Sequence, residues 1–103
     1  MRNEELSAAD GRAMTETEVY AAALQRWGRW HQMVKCVEEM AELTQELCKR
    51  MDGAENNARL AEELADVEIT LEQVKQFFRL DEEVRCWKGI KLKRLEEMLD
   101  AGD

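Results

Sequence analysis

An all-α fold is predicted by three features of the chain. Proline is absent and glycine occurs only five times in 103 residues, so little interrupts a regular backbone. Ala, Leu, Met, Glu, Lys and Arg, the strongest helix formers, dominate the composition. Apolar residues then recur at i, i+3 and i+4 over runs too long for strands. With 103 residues and 45% hydrophobic content, the chain can fill one modest core but not two.

Residues 1–14 are small and polar, with Gly11 among them, and read as a flexible arm ahead of a single domain over 15–100. Thr15 or Thr17 can cap a first helix, which runs through Val19, Ala23 and Leu24 to about Trp27, where Gly28 breaks or bends it. A second helix over about 29–51 carries Trp30, Met33, Val34, Val37, Met40, Ala41, Leu47, Cys48 and Met51 as an apolar stripe. Lys35, Glu39, Glu42 and Glu46 fall on the other side, which reads as a wholly polar face. The turn formers of 52–57 are few, so the helices they join are antiparallel neighbours.

The third helix, over about 57–78, has a stripe of Leu60, Leu64, Val67, Leu71, Val74 and Phe78, with Glu63, Asp66 and Thr70 along its border. A carboxylate flanked by apolar surface is costly unless its charge is compensated. The last helix is expected from Asp81, as N-cap, to about Leu99, with Glu82 and Glu83 in its first turn. Its middle is basic: Arg85, Lys88, Lys91, Lys93 and Arg94 alternate with Val84, Trp87, Ile90, Leu92 and Leu95. Trp87 is assigned to the core or to a subunit interface.

A formal net charge of -8 argues against a nucleic acid polymer as partner. No run of about eighteen apolar residues suggests a membrane span, and the N-terminus lacks the apolar stretch of a signal peptide, so the expected location is cytoplasmic. Cys36, Cys48 and Cys86 form no CxxC pair, and His31 alone could complement them; they read as small hydrophobes rather than a zinc site.

Two carboxylate pairs carry the chemistry. Glu39 and Glu42 lie three residues apart on one helix, and Glu63 and Asp66 repeat that spacing on the next. Antiparallel packing would bring the four together as an oxygen-rich cage suited to Mg²⁺, with Mn²⁺ as the other candidate. A di-iron bundle would need Glu-x-x-His on two helices, a pattern that His31 does not supply. The chemistry Mg²⁺ most often serves is on phosphate esters and anhydrides.

On these residues the chain resembles the MazG-like all-α nucleoside triphosphate pyrophosphohydrolases, whose signature is ExxE followed across a loop by ExxD. Glu39-Met-Ala-Glu42 and Glu63-Leu-Ala-Asp66 match it. The surrounding words WG, Gln32, VEEMAEL, EELADVEI and KLKRL extend the similarity over roughly residues 24 to 99, closest to short, phage-type members. The resemblance implies a four-helix bundle completed by oligomerisation, as a homodimer or homotetramer. It also implies Mg²⁺-dependent cleavage between the α and β phosphates of a nucleoside triphosphate, giving a monophosphate and pyrophosphate. Glu39, Glu42, Glu63 and Asp66 inherit the metal-ligand and catalytic roles, with Glu39 or Glu42 the candidate to deprotonate water.

Lys91 and Arg94, on one side of the last helix, are candidates for the phosphate chain. Lys35, one turn before Glu39, either reaches phosphate or pairs with an acid. Trp27, Trp30 and Gln32 could stack on a base and read its edge; His31 stands outside the catalytic set. Two alternatives remain at this level: an enzyme like phosphoribosyl-ATP pyrophosphatase, with the same fold and cleavage position, and a non-catalytic helical interaction module.

Overall fold

The computed structural model describes residues 11–102 and is all-α, with helices α1 (Glu16–Met51), α2 (Asn57–Phe78) and α3 (Asp81–Asp100). The first ten residues of the expected N-terminal arm lie outside the described residues. Thr15 caps α1 as its sequence predicts. Its hydroxyl accepts from the Glu18 amide at 3.2 Å, and its own amide donates to Glu18 Oε1 at 2.8 Å, closing a capping box. Arg12 grips the same carboxylate at 2.9 Å and 3.0 Å, and that hydrogen bonding, with the Thr15 amide, holds Glu18 down to about 2.

Gly28 divides α1 into segments 16–27 and 29–51. Its φ of 83° and ψ of 165° are open to glycine and strained for other residues. Both segments meet the C-terminal turns of α2: the Gln76 amide donates to the Thr17 carbonyl at 3.1 Å, and the Arg29 guanidinium lies 6.0 Å from the Phe78 ring centroid. Tyr20 and Phe77 are buried in this part of the molecule.

Segment 29–51 and α2 form the antiparallel hairpin expected from the short turn, but α1 presents the opposite face to that anticipated. Gln32, Cys36 and Glu46 are buried, whereas Trp30, Val34, Val37, Met40, Leu47 and Met51 are exposed. The supposed polar face is therefore the one toward α2. Asn56 helps fix this orientation: instead of capping α2, its Nδ2 donates to the Glu46 carbonyl at 2.9 Å and to Glu46 Oε1 at 2.8 Å. Lys49 reaches the other oxygen at 3.0 Å. The Asn56 bond, and then the Lys49 bond, hold the Glu46 carboxyl below its ordinary range. Helical periodicity locates two faces, but tertiary polar contacts choose which one turns inward.

Arg79 ends α2 in the left-handed region, at φ 57° and ψ 47°, its amide donating to the Gln76 and Lys75 carbonyls. Only Leu80 separates it from α3. Asp81 is consequently the first helical residue rather than the cap, and Leu80 at the cap provides no side-chain bond. α3 has no buried residue. Trp87 is 54% exposed, so it belongs to no core within this chain, and Cys48 and Cys86 are exposed while Cys36 is buried. The radius of gyration is 17.5 Å, against about 13 Å for a compact chain of this length, and only the start of α3, at Asp81, Val84 and Lys88, shares a cleft with Tyr20 of α1 and Glu72 of α2. No helix among the described residues is long and apolar enough to cross a membrane.

Candidate metal centre

The hairpin register places the two carboxylate pairs opposite each other. Carboxylate oxygens of Glu39, Glu63 and Asp66 lie within 4.8 Å of one another. Two oxygens bound to one Mg²⁺ at about 2.1 Å are at most about 4.2 Å apart, so small side-chain rotations would let these three share an ion. Glu42 stands outside this trio, at its exposed edge, and its charge bears on Glu63.

The inner carboxylates are under electrostatic load. Burial raises the Glu63 carboxyl above its ordinary value, and repulsion and hydrogen bonding from Glu42 add to the rise. Burial likewise raises Glu39, reinforced by the charges of Asp66 and Glu42. Glu63 is only 2% exposed, and its Oε2 is buried without a hydrogen-bond partner, as is Oε2 of Glu39. Buried anionic oxygens of this kind are strongly destabilising unless a cation or proton satisfies them. Hard, oxygen-only donors fit Mg²⁺ or Mn²⁺ and are poorly matched to softer metals.

Two cations touch the outer oxygens. Lys35 Nζ stands 3.7 Å from Glu39 Oε1, and Arg59 Nη2 stands 3.4 Å from Glu63 Oε1. Arg59 is not among the candidates expected from the sequence, although it precedes Glu63 by the same four residues that separate Lys35 from Glu39. Glu46 and Asn56, which fix the face of α1, were also not singled out for that role, because their pairing spans ten residues and a turn.

The other candidates are dispersed. Lys91 Nζ lies 5.9 Å from the Trp87 ring centroid on α3, and neither it nor Arg94 pairs with a carboxylate of the cluster among the described residues. Gln32 is buried against α2, while Trp27 and Trp30 are 51% and 77% exposed. Trp27 sits 5.8 Å from His31, centroid to centroid, and 5.6 Å from the Arg26 guanidinium.

No family model, curated protein or solved structure matches this chain.

Proposed function

We propose that the chain is a Mg²⁺-dependent nucleoside triphosphate pyrophosphohydrolase, cleaving between the α and β phosphates to release a nucleoside monophosphate and pyrophosphate. The observation that carries this reading is Glu63: a nearly inaccessible carboxylate, one oxygen unpartnered, grouped with Glu39 across the hairpin and with Asp66 one turn along its own helix. The ExxE and ExxD words of the sequence supply those residues, and their similarity to MazG-like enzymes suggests the bond that is cut.

Glu39, Glu42, Glu63 and Asp66 would hold the cation, which supplies charge neutralisation at phosphate oxygens and acidifies a bound water. Glu39 or Glu42 is the candidate to accept that water's proton. Lys35 lies beside Glu39 and within reach of an incoming phosphate chain. Trp27, exposed at the end of segment 16–27, offers a ring face for a base, whereas Trp30 stands on the side of α1 away from Glu39. Lys91 and Arg94 stand on α3 and could join the site after assembly into a homodimer or higher oligomer. Exposed Cys48 and Cys86 suit the reducing cytoplasm, where nucleotides are also found.

Incubation with a panel of dNTPs and NTPs plus Mg²⁺, read by pyrophosphate release, tests the proposal. We expect release from at least one nucleotide. Asp66→Asn and Glu42→Gln should each lower kcat/KM by about 100-fold or more, since even partners beyond the ligands cost 10–100-fold. Circular dichroism establishes that both variants fold. Release by neither the wild type nor any tested metal form would sink the enzymatic reading and favour a helical interaction module, for which the exposed apolar residues of α1 are the supporting feature.

A further inference from the structure

The two helices of the hairpin repeat one arrangement: a cation one turn before an inward carboxylate. Lys35 precedes Glu39 on α1, and Arg59 precedes Glu63 on α2. The carboxylate side chains are 13% and 3% exposed, their cations 47% and 60%. Each anion is thus fixed by packing while each cation remains largely in solvent. At 3.7 Å and 3.4 Å the contacts are ionic but longer than charge-assisted hydrogen bonds. Their polarity, base before acid at i, i+4, is the weaker of the two orders on a helix. Because the helices are antiparallel, the turns preceding Glu39 and Glu63 lie at opposite ends of the cluster, and Lys35 and Arg59 bracket it.

We propose that Arg59 is a displaceable counter-ion: it neutralises Glu63 while the site lacks a divalent cation, then turns to the nucleotide's phosphate chain once metal occupies the carboxylates. This inference rests on the hydrolase reading above. An ion bound through Glu63 takes over the charge that Arg59 now balances. The released guanidinium is already solvent-exposed, so redirecting it requires little repacking, and its planar fork suits two phosphate oxygens. Lys35 occupies the corresponding position at the other end, as a point charge without that fork.

The full-length chain with Arg59→Gln separates this role from a purely structural one, because two affinities should move in opposite directions. Mn²⁺ binding without nucleotide, followed by electron paramagnetic resonance, should tighten about 2- to 5-fold, the range set by losing a competing exposed ion pair. Binding of the α,β-methylene analogue of the best substrate, measured calorimetrically with Mg²⁺, should weaken about 10-fold or more, as expected for a lost charged hydrogen bond. Arg59→Lys should restore wild-type Mn²⁺ affinity and recover only part of the nucleotide affinity. Unchanged or weaker Mn²⁺ binding by Arg59→Gln, or nucleotide affinity equal to wild type, overturns the proposal while leaving hydrolysis intact. Failure of the wild type to bind Mn²⁺ or release pyrophosphate overturns both readings.

Discussion

At the residue scale, Glu63 and Glu39 combine burial with mutual repulsion, and this gives the metal-free protein a definite pH response. Both carboxyls are raised above their ordinary 4.5, so folding favours their protonated forms. The stability they contribute is present below that value and is lost as pH rises through their folded values. Glu18 and Glu46 act oppositely: their lowered values make stability disappear as pH falls below the ordinary carboxylate range. We expect the metal-free Tm to peak under mildly acidic conditions and to decline toward neutrality, with Mg²⁺ recovering the neutral loss. Glu63→Gln keeps the shape and removes the charge, so its metal-free Tm at pH 7.5 should exceed that of wild type, and the Mg²⁺-induced gain should shrink. Thermal melts with and without Mg²⁺ measure both effects. A lower Tm for metal-free Glu63→Gln would instead make Glu63 a structural partner of Arg59. Spacing was enough to single out Glu39, Glu63 and Asp66, because helical faces follow from residue number. Spacing also admits the Arg59–Glu63 pair at i, i+4, but it could not reveal that Glu63 is nearly inaccessible, since that depends on which face of α2 meets α1.

At the scale of elements, Gly28 is where local chemistry redirects a helix that could otherwise run from Glu16 to Met51. A Cβ built there meets nothing within 4 Å, so substitution is penalised by backbone conformation rather than by crowding. Gly28→Ala should therefore cost about 1–3 kcal/mol, lowering Tm by about 4–8 °C per kcal/mol in a domain of this size. Urea unfolding followed at 222 nm measures the cost; an unchanged midpoint would mean that segment 16–27 is held in place by little. The break at Gly28 was legible because glycine is rare in this chain, as was the hairpin turn after Met51. The inward face of α1 was not. Its apolar stripe is the stronger amphipathic signal, yet Asn56 and Glu46 turn the acidic side toward α2, and that pairing has no periodic signature. The start of α3 was displaced for a similar reason: Arg79 adopts a left-handed conformation usually taken by glycine, so nothing in its residue type announced the cap.

At the scale of the whole molecule, the exposed face of α1 has the form of an unfilled interface. Trp30, Met33, Val37, Met40, Thr44, Leu47 and Met51 alternate at spacings of three and four, the seam of a packed helix pair, and all but Met33 are exposed. A standard stable interface removes roughly 800 Å² per partner from solvent, and the seam runs the length of segment 29–51. The homodimer proposed above would place two hairpins seam to seam as a four-helix bundle, each turning its acidic side inward upon its own α2. Met40 lies within the seam and is exposed, next to Glu39 in sequence but about 100° around the helix from it. A charge there should break the association without entering the carboxylate cluster. We expect sedimentation equilibrium to give a dimer for the wild type. Met40→Lys should weaken dimerisation at least about tenfold, which corresponds to about 1.4 kcal/mol. If assembly supplies Lys91 or Arg94 to the site, nucleotide affinity should fall with dissociation and return as Met40→Lys is concentrated. A wild type that sediments as a monomer at all concentrations would leave the seam for a different partner and confine the site to the residues of one hairpin.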